Sequence, residues 1–360
     1  MKQEQPNDAF FNVYNLGKPA GRLAWSIGSI NYKNPPSDND FHIENGKKFL
    51  RSSAYERMKS HEKDRSPLFY KTIYNNVKHC IIEDGDNDIF LWETPLGNLR
   101  GKRHNNHFDE YPIKTAEDLD IWNYIFQNIT YEKNEEWFTS HNLQFLQNFS
   151  MNWSPVQQLL QFDTGLENFY YFLMDAPEKM QTLLQTMQSR CLDRLELGLS
   201  CLEKGFPFCV YWGENTSSSS ISPEYYRKLT LPHIKEYARL VHEKGGRLVV
   251  HMCGLLRNLL DCFAETGMDG IHSATPPPFG DAPYSLIREK FKPDFTIMGR
   301  FNAQLWVDKN KSEIQANLKK QITEELIQTP FLLMVTDDAL NNISYDNVMT
   351  LYEACETLKW

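Results

Sequence analysis

No uninterrupted apolar run in the 360-residue chain reaches the ~20 residues that span a bilayer, so a membrane helix is not expected. There is no long basic run, and the net charge is -9, which argues against nucleic acid as a partner. The seven cysteines, Cys80, Cys191, Cys201, Cys209, Cys253, Cys262 and Cys355, lack the spacing of a disulfide framework. Reduced thiols in a cytoplasmic protein are the expectation. The first eight residues lack the apolar stretch of a signal peptide. No Gly-rich phosphate loop follows any strand-like run, which leaves a dinucleotide site without support. Short-period repeats and low-complexity linkers are absent too.

What is present is an ordinary globular composition, 41% hydrophobic and 24% charged, with enough aromatic residues for a deep pocket or a large core. Leu23–Ile30 reads as a first strand. Further on, Cys80–Ile82 and Ile89–Trp92 flank the turn Asp84-Gly85-Asp86-Asn87-Asp88, an antiparallel hairpin hung on the main fold. Thr115, with Asp118 three residues on, reads as a helix entrance. From Trp153 onward the rhythm is regular. Strands are expected at Phe206–Glu214, Leu248–Cys253, Met268–Ile271, Phe295–Met298 and Phe331–Val335. Helices are expected between them, at Leu255–Glu265, Tyr284–Phe291 and Ser312–Ile327 among others, with Tyr345–Leu358 last. Strand and helix alternating through short connections implies parallel strands with right-handed crossovers. The expected fold is α/β: a single (β/α)8 TIM-type barrel domain over 1–360. Residues 1–150 form an N-terminal extension with the first barrel strand and the inserted hairpin, and 151–360 the regular βα units. An open doubly wound sheet is the alternative.

In such a barrel the chemistry gathers at the carboxyl ends of the strands. Those ends carry Tyr211-Trp212-Gly213-Glu214-Asn215, His251-Met252-Cys253-Gly254, His272-Ser273-Ala274-Thr275, Arg300-Phe301-Asn302 and Thr336-Asp337-Asp338. His251 and Cys253 stand two apart, so within a strand they would share a face. An imidazole beside a thiol suits borderline-soft zinc. A core histidine beside a core cysteine is the blander reading, and acids on neighbouring strand ends favour the metal. Ser222 and Thr275 are better read as cap or loop residues.

The segments Ile221-Ser222-Pro223-Glu224-Tyr225, Leu231-Pro232-His233-Ile234 and Val250-His251-Met252-Cys253-Gly254 resemble the uroporphyrinogen decarboxylase superfamily. Gly21-Arg22, Lys114-Thr115-Ala116-Glu117-Asp118 and Asp346-Asn347 extend the resemblance over nearly the whole chain. It implies a distorted (β/α)8 barrel with N-terminal additions. True decarboxylases of that superfamily need no metal and carry Phe-Met-Arg-Gln-Ala-Gly-Arg. Here only Ala20-Gly21-Arg22 survives, in Gly17-Lys18-Pro19-Ala20-Gly21-Arg22. The other branch transfers a methyl group from a corrinoid protein to a thiol. It carries His-x-Cys-Gly on one strand and Gly-Cys on the last, both for zinc. His251 and Cys253 match the first motif, and aligning on Asp346-Asn347 sets Thr336-Asp337 against the second.

The resemblance thus implies zinc on His251, Cys253 and Asp337, with a fourth position open. Methylcobamide, on a partner corrinoid protein or as substrate, would be the methyl carrier, and a small-molecule thiol or similar group the acceptor. Glu214 and His272 are the expected catalytic residues, and Trp212, Asn215, Arg300 and Asn302 the expected substrate-binding ones. Should Asp337 point away, Glu214 and His272 are the next candidate ligands. The alternatives are a metal-free carboxy-lyase, with Arg22 and Arg300 binding carboxylates, and a non-catalytic protein that binds a corrinoid partner. A monomer or homodimer is expected.

Overall fold

The computed structural model describes residues 9–26, 30–32, 41–44, 47–50, 69–104, 107–140, 149–202, 204–334 and 340–360. The chain divides into two units, residues 1–66, 141–150 and 203–360 in one and residues 67–140 and 151–202 in the other. Among the described residues no helix is long and apolar enough to cross a membrane. No disulfide joins any of the seven cysteines.

The first unit is built on a row of strands in the order Ala24–Ser26, Phe331–Met334, Thr296–Arg300, Gly270–Ala274, Arg247–His251 and Cys209–Gly213. All five pairings between them are parallel. The strand Phe149–Trp153 completes a seven-stranded sheet, and in it the chain leaves this unit. The alternation of strand and helix expected from Phe206 onward is therefore present. The strands are nearly all buried, as expected of parallel strands covered on both faces.

One face carries a cluster of Ala24, Cys209, Val249, Met298, Leu332 and Met334, joined by Val13 and Tyr14 of the helix Ala9–Tyr14. Ala24 and Cys209 stand five strands apart in the row yet share this core. The cluster runs from strand to strand along the row, through the register neighbours Ala24, Leu332 and Met298, and the N-terminal helix joins it through Val13 and Tyr14. Burial of each large side chain there contributes about 1.5–3 kcal/mol. The other face meets helices. In Leu231–Glu243 the residues Ile234, Tyr237, Ala238 and Val241 are buried at helical spacing. That helix is entered through Ser222, whose hydroxyl accepts from the Tyr225 amide, with Pro223 in the first turn.

Two expected helices differ. The stretch expected over Leu255–Glu265 begins only at Arg257, as a short 3-10 turn before Leu260–Ala264. Gly254 turns the chain at φ +85, and the Asp281 carboxylate accepts from the Leu256 and Arg257 amides, at 2.6 and 3.0 Å. Ser312–Ile327 is two helices, Lys311–Gln321 and Glu324–Ile327. Ile322 is extended between them, and Thr323 caps the second through its hydroxyl.

The second unit contains the expected hairpin, Lys78–Asp84 with Asn87–Thr94, extended by Gly97–His104 and His107–Glu110 into a four-stranded antiparallel sheet. Gly85, at φ +63, opens the two-residue loop between its first strands. Thr115 caps Ala116–Gln127 in a full capping box with Asp118. The unit's long helix is Pro177–Ser200. Its buried Arg194 reaches the Tyr70 hydroxyl at 3.3 Å and lies over the Tyr70 and Tyr131 rings.

Candidate active site

The carboxyl ends of three neighbouring strands bring Gly213, His251 and His272 into one row, each opposite the next in the parallel register. Residues so aligned send their side chains to the same side. The two imidazoles therefore meet, with Nδ1 of each 2.7 Å from the other and ring centroids 4.9 Å apart. Gly213 adds no side chain to the row. Two residues before it, Tyr211 sets its ring edge-on to His272 at 4.9 Å, its hydroxyl 3.4 Å from the same Nδ1. His272 is buried and His251 half-buried. Only one proton fits between nitrogens 2.7 Å apart, so one ring donates and the other accepts. The Tyr211 hydroxyl can donate or accept, so it is compatible with either assignment.

The strand that carries His272 is irregular at this point. Its register shifts between Ile271 and Ala274, and Ser273 adopts φ +66, in the left-handed region that a residue with a Cβ seldom enters. The bulge re-aims the side chains on either side of it, as bulges next to functional sites do. Past the irregularity the Met252 amide donates to the His272 carbonyl at 3.0 Å.

Cys253 lies two residues beyond the end of its strand, so strand alternation does not place it. Its thiol instead donates to Asn215 Oδ1 at 2.8 Å, and both residues are half-buried. Gly254 follows at φ +85, and a Cβ there would meet Ser217 at 3.4 Å. The chain thus turns directly behind the thiol.

The other expected residues are placed as follows. Glu214 is fully buried and accepts from the Thr216 hydroxyl at 2.6 Å. Burial, with the Glu214 charge nearby, holds the Tyr226 phenol well above its ordinary value. Trp212 is fully buried and stacks on Tyr237 of the covering helix, centroids 3.6 Å apart. Arg300 is half-buried at its strand end, opposite Met334, and its carbonyl accepts from the Tyr284 hydroxyl. Asn302 caps the 3-10 turn Ala303–Leu305, accepting from the Gln304 amide at 3.0 Å. Asp337 and Asp338 lie outside the described residues. Arg22 is exposed.

The structure thus brings together His251 with His272, and Cys253 with Asn215. Tyr211 and the Ser273 bulge join them without having been chosen from the sequence. Tyr211 carries a signal, since it precedes Gly213 by two in a strand whose end was already in view; the bulge carries none. Among the described residues no three His, Cys, Asp or Glu side chains converge as a metal site would require. The donor chemistry of His251 and Cys253 suits zinc, so a third protein ligand would have to come from outside those residues.

The family model of uroporphyrinogen decarboxylase (URO-D) matches residues 153–358. No curated protein matches the chain. Among solved structures, a methyltransferase from Methanosarcina mazei is similar at 13% identity with a TM-score of 0.44, over 58% of this chain and 58% of that one. The chain therefore spans less than two thirds of that protein's length.

Proposed function

The chain belongs to the uroporphyrinogen decarboxylase family, and from that premise we propose that it is a zinc-dependent methyltransferase, moving a methyl group between a corrinoid carrier and a thiol or similar acceptor. The parallel sheet is then part of a (β/α)8-type barrel, a reading supported by its row of parallel strands alternating with helices. The observation that carries the function is the pair His251 and Cys253 at one strand end, with His251 Nδ1 tied to His272. A metal-binding histidine commonly engages its second nitrogen in this way, which fixes the ring and the tautomer. In the proposed site His251 would donate through Nδ1 to His272, which would leave the lone pair on Nε2 for the metal.

His251, Cys253 and Asp337 would hold the zinc. Zinc held there would supply Lewis acidity that favours the thiolate form of an acceptor thiol. The residues of the chain supply the rest. His272 orients His251, and Tyr211 limits the tilt of both rings. A cysteine that ligates a metal is a thiolate and can only accept, so Asn215 would turn its amide to offer Nδ2–H in place of Oδ1. Arg300, half-buried on a neighbouring strand end, is a candidate for orienting the acceptor.

Metal analysis of the purified protein under non-chelating conditions tests this reading. About one zinc per chain is expected, and a small fraction of an equivalent would end it. Asp337→Ala should lower zinc affinity sharply and Asp338→Ala little, while the reverse result would move the ligand to Asp338. Uroporphyrinogen should not be turned over, because the arginine motif is incomplete.

A further inference from the structure

The second unit holds a half-open pocket of about 180 Å3 that the proposed chemistry does not use. Its walls are aromatic for local reasons. Phe90 and Trp92 stand two apart on Asn87–Thr94 and so share a face, their rings stacked at 6.0 Å. Phe108 continues the wall 5.7 Å from Phe90. Trp122 and Phe126, one helical turn apart on Ala116–Gln127, add a second side, Trp122 edge-on to Trp92 at 4.9 Å. The π turn Leu159–Asp163 supplies Phe162, edge-on to Phe108, and then Asp163. An extra residue in a helical turn re-aims the side chains that follow, and such turns recur at ligand sites.

Asp163 is the exception in this lining. It is 4% exposed, and its carboxylate accepts from Trp122 Nε1 at 2.9 Å and from the Gln158 side chain. Among the described residues no lysine or arginine pairs with it. The nearest guanidinium to these rings, Arg103, lies over Phe90 but is committed to Asp88 at 2.6 Å. Burial pushes the Asp163 carboxyl up to about 8. A floor with only a structural task would be served by an amide, which accepts the same indole hydrogen bond without an ionisation cost.

The lining selects among ligands. The faces of the rings are negative and attract cations. A cation brought against Asp163 would favour its ionised form, which would repel an anion as the ring faces do. We propose that this pocket binds a small alkylated ammonium ion, its methyl or methylene groups packed against Phe90, Trp92, Trp122 and Phe162 and its charge met by the Asp163 carboxylate. The site shares no residue with the zinc reading, so either can fail without the other.

The test uses the full chain at pH 9, above the value near 8 to which burial raises Asp163, titrated with choline and with its neutral carbon isostere 3,3-dimethylbutan-1-ol at matched ionic strength, by calorimetry and tryptophan fluorescence. Choline should bind saturably and at least tenfold more tightly than the alcohol. Asp163→Asn should weaken choline at least tenfold and leave the alcohol unchanged. Phe162→Leu, at a half-buried position that tolerates change, should weaken choline as well. The proposal is overturned if neither compound binds, if both bind equally, or if Asp163→Asn leaves choline binding intact.

Discussion

Replacing Asp163 by asparagine should stabilise the protein, and more so as pH rises. The side chain is fully enclosed, and burial raises its carboxyl from 3.8 to about 8. In the unfolded chain the same group ionises near the ordinary carboxylate value. Between those two values the folded protein keeps a proton that the unfolded chain has released. Stability is then at its greatest below about pH 4, falls by about 1.4 kcal/mol per pH unit above that, and levels off beyond about pH 8. From pH 5 to 8.5 the loss is on the order of 4 kcal/mol, the three pH units from 5 to 8 counting in full. The amide of Asp163→Asn still accepts from the Trp122 indole and has nothing to ionise. Urea denaturation of both proteins at pH 5 and at pH 8.5, at one ionic strength, isolates the effect. Every other titrating group is common to the two and cancels in the difference. The advantage of the asparagine should grow by several kcal/mol between the two conditions. A difference that stays constant with pH, or that shrinks, would refute the enclosed acid.

Thr115→Ala removes the hydroxyl that accepts from the Asp118 amide, and should cost about 1 kcal/mol in the urea transition; Thr115→Ser should restore most of it, and an unchanged midpoint for the alanine would show that the cap contributes nothing. Gly280→Ala places a Cβ 1.9 Å from the Thr275 carbonyl oxygen and 3.1 Å from that of Gly254, both backbone atoms. The loop behind the His272 strand must shift, at about 1–3 kcal/mol, and thermal melting equal to that of the unaltered chain would count against the packing described.

The βα rhythm from Phe206 to the end was legible because buried parallel strands and amphipathic helices leave strong periodic patterns, and because Ser222-Pro223 and Thr115 mark helix entrances by their own chemistry. The hairpin was legible from its Asp-Gly turn. Element ends were harder. Strand alternation holds only while the chain stays extended, so it could not place Cys253, which lies two residues past the strand end at His251. Ile322 is a sound helix residue by pattern, yet it is extended because Thr323 begins a new helix. Trp212 stood at a strand end with the character of a ligand-binding ring, but it faces the covering helix and stacks on Tyr237. Asp163 left no trace in the sequence, where it is one carboxylate among 47 acidic residues. Its surroundings depend on rings drawn from four separate elements, which no local pattern records.

The outer strand Lys78–Asp84 is exposed along nearly its whole length, Ile81 and Ile82 included. Burial usually fixes register, since a slip of one residue would turn apolar side chains to water. Here either alignment would leave both faces wet. The pairing Asp84↔Asn87 is therefore held chiefly by the loop, where Gly85 takes the positive φ and the Asn87 side chain donates to the Asp84 carbonyl at 3.1 Å. Apart from His79, which stacks on Trp92, the side chains along 78–84 therefore carry little of the register, whereas adding or removing one residue at 85–86 would shift every rung of the ladder.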